Sequence, residues 1–228
     1  MENFGPLFDG TPGYRFVGPY WPGAGETPRA TTPLELARLA DIVVAAAVSR
    51  GADRFPVIGL SLGAAVAATA AHRHPEHVSA LVLTVGLARA DVRVRANTEA
   101  WIALAASGED DALAGLVLTS VSSDAALRSL TAADEAAARA AITQTMPQGT
   151  PDHMELAGRV DVTGVLSTIE VPTLVIVAGA DRLVPPDISR EFGAVRGSRL
   201  IEYPTAGHIF TPDDAAGWSS DIADFLAE

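Results

Sequence analysis

Three residues in this chain have the types and the order needed for nucleophilic catalysis by a serine. Ser61 lies in Gly59-Leu60-Ser61-Leu62-Gly63, between an apolar run and an alanine-rich run. Asp181 and His208 each follow a later β-prone run. A free hydroxyl is a poor nucleophile at neutral pH, so the serine needs a base and the base needs an orienting group. The pattern predicts Ser61 as nucleophile, His208 as base and Asp181 as the orienting acid.

The segment around Ser61 is typical of a sharp turn between a buried strand and a helix. The apolar run 55–58 predicts the strand, and a helix is expected to begin at Leu62. Gly59 and Gly63 have no side chains to block a close approach of these two elements. Backbone N–H groups at the start of the helix would favour a negative charge that develops beside Ser61.

The other two loops are expected at the same edge of a sheet as Ser61. Residues 78–85 and 171–177 are almost continuous apolar runs, as in parallel strands that are covered on both faces. Residues 199–203 predict a further strand, and His208 follows it. Alternating strands and helices indicate an α/β fold with a mostly parallel sheet flanked by helices. Loops at the carboxyl ends of parallel strands meet at one edge, where sites form.

Several other elements are predicted from local signals. Residues 1–13 contain many glycines and prolines and are expected to be a loop, and residues 14–17 are expected to form a fifth strand. Thr32-Pro33-Leu34-Glu35 has the pattern of a capping box, which places a helix start there. A last helix is expected to open at Thr211.

The chain is expected to consist of a core made of residues 1–86 and 168–228, with a helical cap insertion at residues 87–167. The insertion lacks convincing strands and should lie over Ser61, because it connects two strands whose carboxyl ends flank the site. Trp101 and Met146 are the candidate substrate-binding residues of the insertion. Pockets of this kind are mostly apolar, so a neutral, largely hydrophobic substrate is expected. The alternative interpretation is that Trp101 belongs to the core of the cap.

Composition limits the classes of partner and cofactor. The 228 residues carry a net charge of −12, with no lysine, which argues against nucleic acid and anionic membranes as partners. Cysteine is absent, so disulfides and thiolate metal sites are excluded. His72, His74 and His77 are interpreted as helix-end residues and not as a metal site. We expect a cytoplasmic enzyme without metal or cofactor, whose partner is a small-molecule acyl substrate.

The chain resembles the α/β-hydrolase superfamily in Gly59-Leu60-Ser61-Leu62-Gly63, in the segment 179–185 around Asp181 and in Ala206-Gly207-His208. Residues 14–27 are similar to the fourth strand of that family and the loop after it. The resemblance implies hydrolysis of a small ester, lactone or thioester by a Ser-His-Asp triad, with the Leu62 N–H as one oxyanion donor. Asp91 is the alternative position for the acid, because some members of the family carry it there.

The chain departs from the family at its amino-terminal side. The family's sheet has eight strands, and only five are predicted here, matching the last five. The His-Gly loop that supplies the second oxyanion donor is not found. A truncated sequence, a complementing chain or second copy, or direct pairing of the fourth and fifth strands would explain this. The departure leaves open a second interpretation, a binding or biosynthetic protein of cyclase-like or acyl-transfer type with an impaired oxyanion hole.

Overall fold

A four-stranded parallel sheet in the order β1-β2-β3-β4 forms the centre of the computed structural model, which describes residues 4–11 and 13–228. The strands are β1 Phe55–Leu60, β2 Val78–Thr84, β3 Thr173–Ala178 and β4 Arg199–Tyr203. The helices are α1 Gly5–Gly10, α2 Leu36–Val48, α3 Leu62–Arg73, α4 Val92–Ser107, α5 Asp110–Val121, α6 Asp124–Ser129, α7 Ala132–Thr145, α8 Thr150–Ala157, α9 Thr163–Leu166, α10 Pro186–Arg190 and α11 Pro212–Ala227, with a 3₁₀ turn at Glu191–Ala194. The predicted α/β fold with a parallel sheet is confirmed.

Helices cover both faces of the sheet because side chains alternate along each strand. On one face, Leu81 and Leu83 of β2 belong to a buried apolar cluster that includes α2, α3 and α9. On the other face, Val82 packs in a cluster with Leu7 of α1 and Ile222 of α11. Strands that are covered on both faces have continuous apolar sequences, and this pattern is why β2 and β3 could be predicted.

Helix α3 lies unusually close to β1, and Gly59 makes this possible. A Cβ atom at Gly59 would lie 2.2 Å from the carbonyl oxygen of Gly63, which is backbone and cannot turn away. Gly63 itself has no such constraint, because a Cβ atom there would meet nothing within 4 Å. The prediction that both glycines are needed for the approach of strand and helix is therefore right for Gly59 and wrong for Gly63.

The carboxyl-terminal helix α11 begins as predicted. The side chain of Thr211 accepts a hydrogen bond from the N–H of Asp214, 3.2 Å away, and so satisfies a free donor of the first turn. Trp218 of the same helix reaches the sheet, where its Nε1 donates to Oγ1 of Thr84 over 2.9 Å. This bond ties α11 to the end of β2, next to the loops that carry the candidate site.

Three local predictions at the amino-terminal side are wrong. Residues 14–17 are not a strand, because in the described residues no neighbouring strand pairs with their backbone. Gly5–Gly10 form helix α1 and not a loop, with apolar residues packed against α11 and Pro6 in its first turn, where proline is tolerated. The prediction for residues 1–3 and 12 lies outside the described residues. Helix α2 begins at Leu36 and not in the predicted capping box, since its N-cap is Glu35 without a side-chain cap.

The six helices α4 to α9 lie between β2 and β3, where the cap insertion is predicted. Trp101, Leu113 and Val117 form a small buried cluster within these helices. Both ends of the insertion, including Leu87 and Leu166, belong instead to the large cluster around α2 and α3. The cap bounds at 87 and 167 therefore stay a prediction, and the helical segment is firmly anchored to the core at both ends.

Candidate active site

Ser61 occupies the turn between β1 and α3 in a strained backbone conformation. Its φ and ψ are 57° and −123°, a region that residues with a side chain rarely adopt. The turn is fixed on both sides: the Ser61 N–H donates to the carbonyl of Thr84 over 3.0 Å, and the Ser61 carbonyl accepts from the N–H of Leu87 over 3.3 Å. The Ser61 side chain does not cap α3. The hydroxyl therefore lies at the N-terminus of α3 but does not make a capping hydrogen bond to that helix.

The Leu62 N–H is free to act as a hydrogen-bond donor at this turn. Leu62 is the first residue of α3, and the first N–H groups of a helix have no partner within it. Its N–H is also without an acceptor among the hydrogen bonds that connect different elements of the described chain. It lies beside Ser61 at the positive end of the helix dipole, which is the predicted place for an oxyanion donor.

Asp181 and His208 form a buried hydrogen-bonded pair. Nδ1 of His208 lies 2.7 Å from Oδ2 of Asp181, and the two side chains are 6% and 1% exposed. The second carboxylate oxygen, Oδ1, accepts N–H bonds from Leu183 and Val184, each over 2.9 Å. The carboxylate is thus held by its own loop on one oxygen and holds the imidazole with the other. This fixes the ring with Nε2 as the free nitrogen.

The His208 loop is attached to the helical insertion. The N–H of Ile209 donates to the carbonyl of Val121 over 2.9 Å, at the end of α5. Gly207 lies so close to the same segment that a Cβ atom would be 2.5 Å from the backbone nitrogen of Ser123. A glycine is required there by contact with backbone. The position of His208 therefore depends on where the segment 121–123 lies.

The three loops converge on one end of the sheet. Ser61 follows β1, Asp181 follows β3 and His208 follows β4, each beyond the carboxyl end of its strand. Leu60 and Ala206, the neighbours of the serine and histidine loops, pack in one small buried cluster. No hydrogen bond joins the hydroxyl of Ser61 to His208 in the described structure. The structure thus brings the acid and base together as a bonded pair and places the serine at the same edge without that bond.

Asp91, the alternative candidate for the catalytic acid, has a structural role in this fold. Its Oδ1 accepts the N–H groups of Arg93 and Val94 over 2.9 and 3.0 Å, so it caps helix α4. Burial pushes the pKa of Asp91 upward, but the hydrogen bonds from Val94 and Arg93 outweigh burial and hold that pKa below its ordinary value. Its carboxylate is occupied by this cap and by the Arg93 guanidinium.

The three clustered histidines have separate partners. His72 contacts the Thr168 hydroxyl at 2.8 Å, and His74 contacts Asp41 at 2.7 Å. His77 contacts a backbone carbonyl at 2.7 Å. Within the part of the chain that is described, no three histidine or carboxylate side chains gather as metal ligands. In the same residues, no helix combines the length and the apolar character needed to cross a bilayer.

Trp101 and Met146, the predicted substrate-binding residues, lie in the same apolar cluster of the insertion. Trp101 is 7% exposed, and Met146 is partly buried against its cluster. The cluster also contains Leu183, whose N–H donates to Asp181. Trp101 therefore lies in an apolar core of the helical insertion that extends to the loop of Asp181, and its part in substrate binding stays a prediction.

Two features of the site region carry no signal in the sequence. Val85, just after β2, has a φ of 43°, which is a genuine outlier for a β-branched residue. It is the last residue of the apolar run 78–85, which the sequence predicts to be a strand over its whole length. The second feature is a clamp between the loop 20–29 and helix α8: Arg29 binds Asp152 through two bonds of 2.8 and 2.6 Å. His153 Nε2 lies 2.9 Å from a carbonyl of the same loop. Contacts between residues more than a hundred positions apart leave no periodic pattern to detect.

Strand β1 is at one edge of the sheet that the described residues form. The Ser61 N–H faces β2, so by the alternation of a parallel strand the backbone groups of Ile58 and Leu60 face away from the sheet. An apolar groove of about 350 Å³ runs along this edge, lined by residues that include Phe16 and Trp21. No strand that could carry a second oxyanion donor lies beside β1 in the described residues. A second copy or complementing chain at this edge stays a prediction.

Comparison with known proteins agrees with this architecture. The chain matches the alpha/beta hydrolase fold family over residues 2–215. It is 28% identical to a pyrrolizixenacetamide deacetylase from Xenorhabdus hominickii, over 93% of this chain and 82% of that protein. It is 29% identical to a pimeloyl-[acyl-carrier protein] methyl ester esterase from Neisseria meningitidis serogroup B, over 90% and 80%.

A solved structure gives the same result for the fold. The enol-lactonase from Burkholderia xenovorans LB400 superposes with a TM-score of 0.83 at 22% identity, covering 100% of this chain and 87% of the lactonase. At that identity the likeness is one of fold alone. Together with the family match over almost the whole sequence, it settles the classification: the chain belongs to the α/β hydrolase fold family.

Proposed function

We propose that this protein is a serine hydrolase that cleaves a small, largely apolar ester, lactone or thioester. Ser61 is the nucleophile, His208 the general base and Asp181 the acid that orients the histidine. The observation that carries the proposal is the buried bond of 2.7 Å between Asp181 and His208, at the sheet edge where Ser61 lies in a strained turn. Backbone strain of this kind is found where a fold holds a functional group in place.

The reaction follows from the properties of these groups. The Ser61 oxygen attacks the acyl carbon while Nε2 of His208 takes the hydroxyl proton. The carbonyl oxygen becomes an oxyanion that accepts the N–H of Leu62. Collapse breaks the bond to the leaving group, which receives the proton from His208. A water molecule then gives its proton to His208 and attacks the acyl-enzyme, and this step releases the acid and restores Ser61.

The carboxylate of Asp181 has two tasks in this scheme. It keeps the Nδ1 proton of His208 in place, so that Nε2 is the nitrogen that accepts the serine proton. It also stabilises the imidazolium that forms during the reaction. Its second oxygen is fixed by two backbone N–H groups, so the carboxylate cannot rotate away from the histidine.

The class of substrate rests on the insertion and on the relatives. The apolar cluster of Trp101 and Met146 includes Leu183 of the Asp181 loop. The two sequence relatives named above act, by their names, on an acetamide and a methyl ester. Both are acyl compounds with a carbonyl carbon that a serine can attack. A compact acyl substrate without charge fits the apolar character of the insertion.

A non-hydrolytic function is the second candidate, and a specific observation favours it. In the described residues, the Ser61 hydroxyl has no hydrogen bond to His208, and Leu62 is the single oxyanion donor identified there. A protein of this kind would bind an acyl compound or transfer an acyl group without efficient hydrolysis. Hydrogen bonds of a catalytic site are often long or poorly aligned until substrate is bound, which is why hydrolysis is the first proposal.

A fluorophosphonate probe separates the two functions. Such a probe reacts with a serine that is activated by its base, so labelling should occur in the parent protein and be lost in Ser61→Ala. The same variant should lower the hydrolysis of p-nitrophenyl acetate on the order of a thousandfold or more. Equal hydrolysis by parent and Ser61→Ala would overturn the assignment of Ser61. A folded parent that neither reacts with the probe nor hydrolyses the ester would favour the binding function.

A further inference from the structure

Two buried polar atoms on helix α4 have no hydrogen-bond partner among the residues that the structure describes. They are Nε1 of Trp101, a donor, and Oδ1 of Asn97, an acceptor. Buried polar groups in native proteins are almost always hydrogen-bonded, so a buried orphan calls for an explanation such as an unbound ligand. Here a donor and an acceptor are left unpaired within one helix turn of each other.

The two residues belong to one face of helix α4. They are four positions apart, a spacing at which side chains of a helix are neighbours. The same face carries Leu104 and Ala105, which pack in the Trp101 cluster. The other members of the Trp101 cluster are apolar, so none of them is a strong hydrogen-bond partner for the pair.

The position of the pair links it to the candidate active site. The Trp101 cluster includes Leu183, whose N–H is bonded to the carboxylate of Asp181. The apolar cluster of the indole thus extends to the loop of the triad acid. Met146 and Met154, both partly buried, are the flexible members of the same cluster. Methionine side chains adapt their shape easily, so the packing around the indole can adjust to a ligand.

We propose that Trp101 and Asn97 form a polar recognition pair for the acyl part of the substrate. The Trp101 N–H donates to an oxygen of the substrate, and the Asn97 side chain accepts from a donor on the same group. An uncharged group that both accepts and donates, a hydroxyl above all, satisfies both atoms at once. This inference rests on the proposed function and narrows it to acyl chains that carry such a group away from the scissile bond.

The selectivity test uses matched pairs of methyl esters. Each pair consists of an ω-hydroxy ester and the ester in which a methyl group replaces the hydroxyl, over a series of chain lengths. The parent should favour the hydroxy ester at one chain length. Trp101→Phe keeps an aromatic ring but lacks the N–H, and Asn97→Leu lacks the acceptor. Each variant should lower the hydroxy-to-methyl ratio of kcat/KM at that length by roughly three- to tenfold, the range for one lost hydrogen bond.

The ratio of kcat/KM for the two esters also controls for changes in packing caused by the substitutions. A loosened cap core affects both esters of a pair alike and leaves their ratio unchanged. A parent without preference at any length, or a ratio that neither variant changes, would contradict the pair. A buried water would then be the partner of the two atoms.

A binding measurement separates this inference from the proposed hydrolysis. The indole N–H signal of Trp101 can be assigned in a nitrogen–proton correlation spectrum by its loss in Trp101→Phe. In the Ser61→Ala variant, the ω-hydroxy ester should shift this signal, and the methyl-terminated ester should not. A shift without hydrolysis by the parent would support the recognition pair and reject the hydrolase. Hydrolysis without a selective shift would do the reverse.

Discussion

Oδ2 of Asp181 lies 2.7 Å from Nδ1 of His208, while Oδ1 of the same carboxylate accepts two backbone N–H groups of its own loop. The carboxylate is therefore held in place independently of the histidine. Because both side chains are buried, water cannot replace either partner of this bond. The identity of the acid at position 181, and not merely its size, should control the chemistry of His208.

Asp181→Asn should lower kcat/KM for p-nitrophenyl acetate by about 10²–10⁴-fold, because the amide can donate to Nδ1 and stabilise the wrong histidine tautomer. Asp91→Asn is the matched control. Asparagine also caps helices well, so this variant should keep both its stability and its activity. Near-parent activity of Asp181→Asn combined with a large loss in Asp91→Asn would return the catalytic acid to Asp91.

The two glycines around Ser61 should respond differently to alanine. Gly59→Ala places a Cβ atom 2.2 Å from the Gly63 carbonyl, so strand β1 and helix α3 must separate. We expect the free energy of unfolding to fall by about 1–3 kcal/mol, as for other overpacked sites. Gly63→Ala meets nothing and lies in the first turn of a helix, where alanine is favourable. Denaturant unfolding of both variants measures this, and equal losses would contradict the close approach at Gly59.

The sequence was sufficient for the parts of this fold that depend on local patterns. Strands β2 and β3 are apolar on both faces, and helix α11 carries a threonine cap, so each was recognisable from residue types. The bonded Asp181–His208 pair was also predictable, since both residues follow strands of one parallel sheet. The sharp turn at Ser61 was predictable from Gly59, whose missing side chain allows the close approach of strand and helix.

The errors occur where tertiary contacts override local signals. Helix α1 contains Gly5 and Pro6, which are read as breakers, yet its apolar residues pack against α11. The run 14–17 has the composition of a strand but no partner to pair with in the described residues. The unpaired atoms of Asn97 and Trp101 could not be predicted for a related reason, because only the packed helices of the insertion show which of the described polar groups lack a partner.

His153 should make stability depend on pH. Burial lowers the pKa of His153 below its ordinary value, although its hydrogen bond to the Pro22 carbonyl and the nearby Asp152 oppose this. The unfolded chain therefore takes up a proton at this residue before the folded one does, as the pH falls through about 6.5. The contribution of His153 to the free energy of unfolding is present above that pH and is lost below it.

The variant His153→Gln tests this, because glutamine can still donate to the Pro22 carbonyl but does not titrate. Unfolding by denaturant should be measured for both proteins across the range in which free histidine titrates. The difference in unfolding free energy, parent minus variant, should decrease as the pH falls. A difference that stays constant or increases would show that His153 is protonated as readily in the folded protein as in the unfolded chain.

The attachment of the His208 loop to the insertion predicts a selective effect of Gly207→Ala. A Cβ atom at Gly207 would lie 2.5 Å from the Ser123 nitrogen and 2.9 Å from the Val121 oxygen, both of them backbone atoms. The loop must therefore move, and His208 is the next residue. Displacement of a catalytic group by about 1 Å can cost roughly 10²-fold in rate, so kcat should fall by at least about tenfold.

Gly164→Ala is the control, since a Cβ atom there meets nothing within 4 Å. Steady-state kinetics and thermal unfolding of both variants should show a loss of kcat in Gly207→Ala alone. Parent-like kcat in a folded Gly207→Ala protein would mean that the segment 121–123 does not determine the position of His208.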